Sequence, residues 1–365
     1  INPIPAAGSP MLTLATSPGA PVAAAYRGAF GTENWADCWT KFSSEYMKPQ
    51  IDVYTDATLT EFSTAGELGT NIRVINGDQT WTADNAYILT DRVFIPNGVT
   101  LTIEPGTTIY GSFNENGAGK ADDSVGSLIA TRGGRLIAEG TATKPIVFTS
   151  IRALEAAQGV DSPYDPDSIV GPAPTWADGG QWGGIVLLGT ANVLNVDSSG
   201  VNAGTAEIEG FLPSGSASND GDTLADAIQY GVSTGFPLDI ADDSGSLRYV
   251  SIRHGGYEFD TGKEINGLTL GGVGSSTSID YVEVYANQDD GIEFFGGTVD
   301  TSHLVMAFNQ DDSFDIDEGH KGTHQFWFAI QNPGVTDNGG EWDGVGGSSA
   351  GYNLGDAVGN WSKPL

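Results

Sequence analysis

A repeat with a period of 22 residues is the feature that most limits how this chain can fold. The sequence NQDDGIEFFGG at 287–297 returns as NQDDSFDIDEG at 309–319. The preceding runs, YVEVYA at 281–286 and HLVMAF at 303–308, keep the same offset, and the pattern continues into FAIQN at 328–332. Short runs of β-branched and aromatic residues, each followed by Gly, Asn or Asp, are typical of a solenoid with short strands in every coil.

Two earlier pairs of segments show the same repeat with insertions. YVSI at 249–252 precedes YVEV by 32 residues, and LTIEPGT at 101–107 resembles LIAEGT at 136–141. Helices are excluded for these segments because Gly or Pro interrupts them every few residues. The sequence therefore predicts an all-β fold, a parallel β-helix with about 22 residues per coil. Further strands are expected at 92–95, 100–104, 108–111, 128–130, 135–138, 146–149, 182–189 and 247–252.

Residues one coil apart should stack in such a fold, so Val282 with Leu304, and Ile292 with Phe314, are predicted to form apolar ladders inside the coil. The β-helix domain is predicted to occupy residues 51–365. Insertions of this domain lie outside the stacked core and often form its binding side. They are expected near 155–180, near 213–245 with a short helix around 223–230, and near 332–347.

Residues 1–50 differ from the rest of the chain and are predicted to form a cap or tail segment. YRGAFGTENWADCWTKF at 26–42 is expected to be a short helical cap with an aromatic face that covers an open coil end. Solenoids need caps because an exposed end strand is a template for association. Cys38 is the single cysteine, which excludes an intramolecular disulfide, and we expect a half-buried thiol beside Trp35 and Trp39.

The charge of the chain excludes several classes of partner. Its formal net charge is −32, from 15 Lys and Arg against 47 Asp and Glu. Nucleic acids and anionic membrane surfaces are not expected as partners, because both require clustered cations. Membrane insertion is not expected either, since no run of about 18 apolar residues occurs. Such an excess of negative charge opposes compaction, and divalent cations or a saline medium would relieve that repulsion.

Several motifs together resemble a known family. LTIEPGTTIYGSF is followed by GSLIATRGGRLIAEGTATKPIVFTS, WGGIVLLGTANV, LRYVSIRHGG, INGLTLGGVG and the two acidic repeats. This order is similar to that of bacterial secreted β-helix proteins of the pectate-lyase-like superfamily, over roughly residues 80–340. The resemblance implies a right-handed parallel β-helix that is secreted, extracellular or on the cell surface. It implies no particular reaction.

One departure from that family concerns the order of the segments. In the family, a segment like 26–42 is expected to close the C-terminal end of the chain, whereas here it lies near the N-terminus. Three explanations are open: one unit of a longer tandem array, a segment out of register with the gene, or a permuted order. We favour a tandem or head-to-tail arrangement, because coil ends stack readily, and therefore expect self-association.

The repeat also stacks carboxylates, about 4.8 Å apart, on successive coils. Like charges this close must be neutralised. Ca²⁺ can do so with six to eight oxygen ligands, a raised pKa can turn one carboxyl into a general acid, or the side chains can cap turns. Calcium is the expected cofactor. The predicted ligands are Asp289, Asp290, Glu293, Asp311, Asp312, Asp315 and Asp317, with Glu341 or Asp343 from the next insertion and a weaker set at Asn219, Asp220 and Asp222.

The alternative is a carbohydrate-active enzyme, a polysaccharide lyase or glycoside hydrolase, whose candidate catalytic residues are Asp290, Asp312, Asp315 and Arg253. Polygalacturonase-like β-helices carry Asp on consecutive coils and His, Arg and Lys on later coils, but His320 follows Asp312 by only eight residues. Pectate lyases combine bound Ca²⁺ with a basic residue, for which Arg253 is the candidate. A structural salt bridge between Arg253 and the acidic ladder is the competing expectation.

The sequence therefore favours an extracellular structural or adhesive β-helix that binds calcium and assembles head-to-tail into filaments or arrays. An enzyme acting on a polysaccharide at the same acidic edge remains the alternative. A polyanionic polysaccharide would be repelled by a surface of this charge.

Overall fold

The computed structural model describes residues 3–12, 24, 26–42, 58–61, 66–69, 72–114, 124–158, 173–196, 204–208, 227–259, 262–332, 334–342 and 346–347. β-Strands dominate these ranges. A short 3₁₀ helix spans Pro10–Leu12, and one α-helix, α1, spans Ile151–Gln158. No helix in the described part of the chain is long and apolar enough to cross a membrane.

The described residues contain 26 strands, numbered here in chain order. They are β1 (Thr58–Glu61), β2 (Gly66–Gly69), β3 (Ile72–Val74), β4 (Gln79–Trp81), β5 (Asn85–Leu89), β6 (Arg92–Ile95), β7 (Thr100–Ile103), β8 (Thr108–Gly111), β9 (Phe113–Asn114), β10 (Ser124–Val125), β11 (Ser127–Ala130), β12 (Arg135–Glu139), β13 (Ile146–Ser150), β14 (Ile185–Leu188), β15 (Asn195–Val196), β16 (Thr205–Glu207), β17 (Gln229–Gly231), β18 (Gly245–Arg253), β19 (Leu268–Gly271), β20 (Ser278–Tyr285), β21 (Ile292–Phe295), β22 (Thr301–Ala307), β23 (Phe314–Asp317), β24 (His324–Ile330), β25 (Glu341–Trp342) and β26 (Gly346–Gly347).

Two faces of the coil merge into a single sheet through β18. The first part of this long strand pairs in parallel with β12, and its last part pairs in parallel with β13. The strands β20, β22 and β24 then follow β18 in parallel across both faces. At the corner between the faces, one residue per coil takes a left-handed conformation, with φ between 49° and 61°: Tyr249, Tyr281, His303 and Phe326.

The third face is a separate sheet in the order β2-β3-β6-β11-β14-β19-β21-β23-β25. All of its neighbours pair in parallel except β2, which runs antiparallel to β3. The registers confirm the predicted stacking, since Ile292 lies opposite Phe314 and Val282 lies opposite Leu304. The predicted pairing of Leu101 with Leu136 is also found. The parallel β-helix predicted from the repeat is therefore confirmed.

Inward side chains form continuous apolar ladders along the coil axis. One of them runs through Val250, Val282, Leu304 and Trp327, and the first three of these residues are fully buried. Because the side chains of a strand alternate between its two sides, the intervening positions point away from the core. Burial of the ladders supplies the main hydrophobic stabilisation of the fold, since each fully buried large side chain contributes roughly 1.5–3 kcal/mol.

The outer side of the third face changes character along the stack. On its earlier coils the outward residues are apolar, including Ile129 and Val186, and residues of the insertions such as Tyr257 and Ile265 cover them in a second apolar cluster. On β21, β23 and β25 the outward residues become acidic. The acidic residues therefore begin where the apolar cover ends, and this boundary positions the candidate site.

The insertions contain secondary structure that the sequence did not indicate. Helix α1 follows directly after β13, at the start of the insertion predicted near 155–180. Of the helix expected around 223–230, residues 227–228 are helical, whereas Gln229 begins β17, which pairs antiparallel with β16. Residues 223–226 lie outside the described residues. Tyr230 of β17 and the flanking residues Ile208 and Ile228 are buried in the second apolar cluster, which holds this strand pair against the coil.

The segment at 26–42 lies on the side of the solenoid. It consists mostly of turns, and its aromatic side chains pack against the outer surface of β20, β22 and β24. The segment therefore covers a side of the coil and not a coil end as expected, and of the expected helix only residues 41–42 are helical within the described residues. Apolar outward residues on those strands provide a lateral surface that the segment covers. Cys38 is exposed, not half-buried, and has φ of 77°.

Candidate cation site on the acidic edge

A tight turn on each coil brings the repeated DD pair to the edge of the third face. The turn follows Ala286 in one coil and Phe308 in the next, and both residues have positive φ. Gly291 allows the turns to approach, because a Cβ there would lie 2.4 Å from Nδ2 of Asn309. The sequence NQDDG thus folds as a turn that leads directly into an outward-facing acidic strand position.

Two carboxylates of the acidic edge, those of Asp290 and Asp312, accept backbone N–H groups of the turns that follow. The carboxylate of Asp290 accepts the backbone N–H of Asp312 at 2.9 Å, and that of Asp312 accepts the N–H of Asn338 at 2.5 Å. The side chain of Asn309 likewise accepts the N–H of Asn287 at 3.1 Å. The turn-capping role that the sequence left open is therefore found for Asp290 and Asp312. It uses one oxygen of each carboxylate in these bonds.

Asp290, Glu293 and Asp315 form the inner group of the acidic edge. One carboxylate oxygen from each lies within 4.8 Å of the others. Glu293 and Asp315 are opposite each other on β21 and β23, and Glu341 lies opposite Asp315 on β25. Burial raises the pKa of Asp290 to about 9, and the charges of Asp289 and Asp315 add to this effect. Burial also raises the pKa of Glu293 well above its usual value, and Asp290 and Asp315 raise it further.

Two further groups of carboxylates continue outward from Asp290. Asp289, Asp290 and Asp311 lie within 4.8 Å of one another, and so do Asp311, Asp312 and Asp337. Burial raises the pKa of Asp311, and the charges of Asp312 and Asp337 act in the same direction. Asp290 and Asp311 each belong to two groups. The three groups therefore form one continuous row across two coils and the segment that follows them.

The structure adds two residues to those predicted. Asp337 was missed because it lies in an insertion outside the 22-residue period, so its position depends on the path of that insertion. Asn266 was missed because it belongs to the preceding coil, where the DD motif is absent. Its Nδ2 donates to Oε2 of Glu293 at 2.5 Å, and its Oδ1 is buried without a hydrogen-bond partner.

Asp317 and Glu318 lie apart from the three groups. The carboxylate of Asp317 accepts the backbone N–H of Glu318 at 2.6 Å, which is a local turn contact. Nδ2 of Asn195 donates to Glu318 at 3.0 Å, and burial raises the pKa of Glu318 to about 7. Burial raises the pKa of the Tyr230 phenol well above its usual value, and the neighbouring Glu318 adds to this effect. Glu318 joins an insertion to the coil, and the predicted ligand Asp317 does not belong to any of the three groups.

A family model described as a pectate-lyase-like β-helix domain matches residues 73–160 and 169–362. This chain belongs to that family. The match includes every carboxylate of the three groups, and it confirms the resemblance that the motifs indicated. No curated protein and no solved structure matches the chain.

In this pectate-lyase-like domain, Arg253, the basic residue of the catalytic alternative, lies away from the acidic edge. Nε of Arg253 donates to Oγ of Ser251 at 2.8 Å, and the guanidinium lies near Glu283 on the other sheet. No salt bridge between Arg253 and the acidic ladder is found among the described residues. That expectation is wrong because the last residues of β18 face the surface covered by segment 26–42.

His320 is also unavailable to the acidic edge of the pectate-lyase-like domain. Its ring is buried at the end of the coil, where Nδ1 donates to the carbonyl of Gly296 at 2.7 Å and Nε2 lies 3.0 Å from Nε2 of His324. Asn219, Asp220, Asp222 and Asp343 lie outside the described residues. The site is therefore an array of carboxylates, and no cationic side chain of the described residues forms a salt bridge with Asp290, Glu293 or Asp311.

Proposed function

We propose that this protein is an extracellular, structural β-helix that binds Ca²⁺ on its acidic edge. The observation that carries the proposal is the inner group, in which Asp290, Glu293 and Asp315 bring carboxylate oxygens from two coils within 4.8 Å. Oxygen ligands at this density match the preference of Ca²⁺ for six to eight oxygen donors. A cation here would join successive coils and neutralise like charges.

The free energy of the like charges supports a cation. Without one, Asp290 is protonated in the folded protein at neutral pH, since its pKa is about 9. Holding that proton at pH 7 opposes folding by up to about 4 kcal/mol, because the unfolded side chain would be ionised. A divalent ion removes this penalty and supplies the missing positive charge. The net charge of −32 favours cation binding over the whole surface as well.

The position of Asn266 supports a specific cation site over a chance cluster of acidic side chains on the surface. The residue is only 4% exposed, and its amide contacts Glu293. An amide oxygen is a good ligand for a hard cation such as Ca²⁺. Rotation of the amide by half a turn would present Oδ1 to the carboxylates in place of Nδ2.

The catalytic alternative has less support. Asp290 has the raised pKa of a general acid, and the distances between carboxylates are compatible with a pair acting together. However, Arg253 and His320 lie away from the acidic edge. A lyase would therefore need a base from another part of the chain.

Location outside the cell and head-to-tail assembly are further parts of the proposal. An acidic, cation-stabilised solenoid suits a saline exterior, where divalent cations are abundant. End-to-end stacking has weaker support than calcium binding, because β2 runs antiparallel to β3 and ends the parallel order of that face. Sedimentation of the chain across concentrations would test assembly, and a constant monomer mass would contradict it.

The decisive experiment is thermal unfolding with CaCl₂ or with EGTA. At a free concentration 100 times the dissociation constant, one bound ion stabilises the fold by about 2.7 kcal/mol, which raises Tm by several degrees. NaCl of equal ionic strength serves as the control for screening. A Tm that is the same in CaCl₂ and EGTA would contradict calcium binding.

A further inference from the structure

The outer side of the last coils is an apolar surface that one segment of the chain covers. It carries Tyr285, Val305 and Phe328, which pack with Phe30 and Phe42 of segment 26–42. Without that segment the surface would face water, although it extends over several coils. A contiguous apolar surface of this kind on a soluble protein requires a partner.

The corner residues extend this surface as an aromatic stack. Tyr281 stacks on His303 with ring centroids 4.3 Å apart, and Trp35 meets both rings edge-on at 6.0 and 5.0 Å. Trp39 meets Tyr249 in the same way at 5.7 Å and is fully buried. The spacing of Trp35 and Trp39 therefore matches the spacing of the coils.

Glu283 is the polar anchor of the contact. Its side chain is fully buried on the outward side of β20, and its two oxygens accept the backbone N–H groups of Lys41 and Phe42 at 2.7 and 2.9 Å. Ser251 donates to the same carboxylate at 2.5 Å, and Arg253 lies beside it. The coil thus holds a carboxylate in place, and the segment supplies two consecutive amides that match it.

The segment is docked on the sheet and does not form part of it. Residues 26–42 contain no β-strand, whereas β18, β20, β22 and β24 are paired with one another by their own backbones. Departure of the segment would therefore leave the ladder of the coils intact. It would expose side chains and the carboxylate of Glu283, but it would break no strand pairing.

The connection between segment 26–42 and the next strand is long enough for the segment to move away from its own surface. The next described strand is β1, which lies five strand positions from β20 along the same sheet. That distance is about 24 Å at about 4.8 Å per strand. The fifteen residues 43–57 reach at most about 50 Å when extended. The formal charge of 26–42 is zero, with Arg27 and Lys41 against Glu33 and Asp37, so it adds nothing to the repulsion between acidic chains.

We propose that the outer side of the last coils is a self-association surface that receives segment 26–42 of a second copy of this chain in place of its own. Exchange of an identical element needs no new interface, because each copy carries both the segment and the matching surface. The proposal is independent of calcium binding, since the surface lies on the other sheet.

The exchange can be tested in the full chain by photo-cross-linking. Two samples that differ in isotope content are mixed, and one of them carries a photoreactive group on Cys38. Cys38 is the single, exposed thiol and lies in the segment, so a benzophenone maleimide can be attached without substitution. Chains of natural isotope content that carry the benzophenone are mixed with ¹⁵N chains that carry Cys38→Ser. We expect cross-links between segments of natural isotope content and ¹⁵N peptides of β18 and β20. In dilute solution, the fraction of all cross-links that join two chains should rise about tenfold for each tenfold increase in chain concentration. Cross-links within chains of natural isotope content alone, even at the highest concentration, would overturn the proposal.

Glu283→Gln tests the anchor. The variant keeps the shape of the side chain and removes its charge, so the amides of Lys41 and Phe42 should exchange hydrogen about 10 to 100 times faster. Glu104→Gln is the matched control, because Glu104 also accepts a backbone N–H, from Ala83, near the other end of the solenoid. Equal exchange at Lys41 and Phe42 in both variants would exclude Glu283 as the anchor and overturn this form of docking.

Discussion

Asp290 and Asp312 occupy the same place on successive coils, and the carboxylate of Asp290 accepts the backbone N–H of Asp312 at 2.9 Å. The same aspartate also belongs to two groups of clustered carboxylates. Asp290 therefore stabilises the turn of the next coil through one hydrogen bond, while its charge is opposed by burial and by its neighbours. A substitution that separates these two effects is the most informative test of the acidic edge.

Asp290→Asn should remove the charge and keep an oxygen that can accept the N–H of Asp312. In EGTA at pH 7 we expect the variant to be more stable than the natural chain by up to about 4 kcal/mol, because no proton has to be held on a buried carboxyl. In CaCl₂ the gain should shrink or reverse. Urea denaturation in both media gives the two differences.

Asp78→Asn is the control for this substitution. The carboxylate of Asp78 also accepts a backbone N–H one coil away, that of Thr100 at 2.8 Å, but it lies outside the carboxylate groups. Its substitution should have the same effect in CaCl₂ and in EGTA. If Asp290→Asn and Asp78→Asn respond alike to calcium, Asp290 is not a ligand.

Calcium binding should release protons. Asp290, with a pKa of about 9, holds a proton at neutral pH when no cation is bound, and burial raises the pKa of Glu293 well above its usual value. Ligating carboxylates must be ionised, so each ion bound at the inner group should displace about one proton, that of Asp290, at pH 7. Titration calorimetry in buffers of different ionisation enthalpy measures the number. Affinity should fall as pH is lowered from 9, and a pH-independent affinity would contradict the inner group as the site.

The buried histidines should make folding sensitive to acid. Gly322 N–H donates to Nε2 of His320 and Thr301 lies 2.9 Å from Nδ1 of His324, so both rings are neutral and His324 carries its proton on Nε2. Burial lowers the pKa of His320 to about 4 and that of His324 to about 2. Because the folded pKa values are depressed, the neutral rings stabilise the fold fully above pH 6.5. That contribution is lost as the pH falls below 6.5 towards the folded values.

At pH 5 each of these histidines should have lost about 2 kcal/mol of its contribution. His324→Gln should therefore reduce the change in free energy of unfolding between pH 7 and pH 5 by about that amount. The buried carboxylates with raised pKa values change stability in the opposite direction, so the variant must be compared with the natural chain at each pH. An unchanged pH dependence in His324→Gln would show that this ring does not contribute.

The interior ladder should be sensitive to cavities. Leu304 is fully buried between Val282 and Trp327, so Leu304→Ala should lower the free energy of unfolding by about 2–5 kcal/mol. Ser302→Ala, on the same strand but partly exposed, should lower it by less than about 1.5 kcal/mol. Urea denaturation of both variants checks the ladder. Similar losses would contradict the assignment of Leu304 to the core.

The repeat predicted more of the fold than of its surroundings. In the strands from β4 to β23, inward residues are apolar and recur with the coil, and a shift of one residue would turn every side chain to the wrong side. The register of Val282 with Leu304, and of Glu293 with Asp315, follows from that constraint alone. Helix α1 and the pairing of β16 with β17 were not predicted, because insertions carry no repeat.

The aromatic segment shows the same limit. Trp35 and Trp39 indicated a packing element, but nothing in their spacing specified whether it covers a coil end or a coil side. The structure assigns the side, because the corner residues present an aromatic stack with a matching spacing. Glu283 was not among the candidate residues, because the sequence could not indicate that two backbone amides from 241 and 242 residues away would bury it.

The amino-acid sequence by itself determined the parallel coil, its 22-residue register and the stacking of carboxylates, since these follow from local periodicity and from the alternation of side chains. Only the tertiary structure decided which of those carboxylates meet, that Asn266 and Asp337 join them, and that Arg253 turns to Glu283. These contacts join segments far apart in the chain, whose meeting depends on the paths of the insertions. A repeat specifies what stacks on itself, but it contains no information about what packs against its sides.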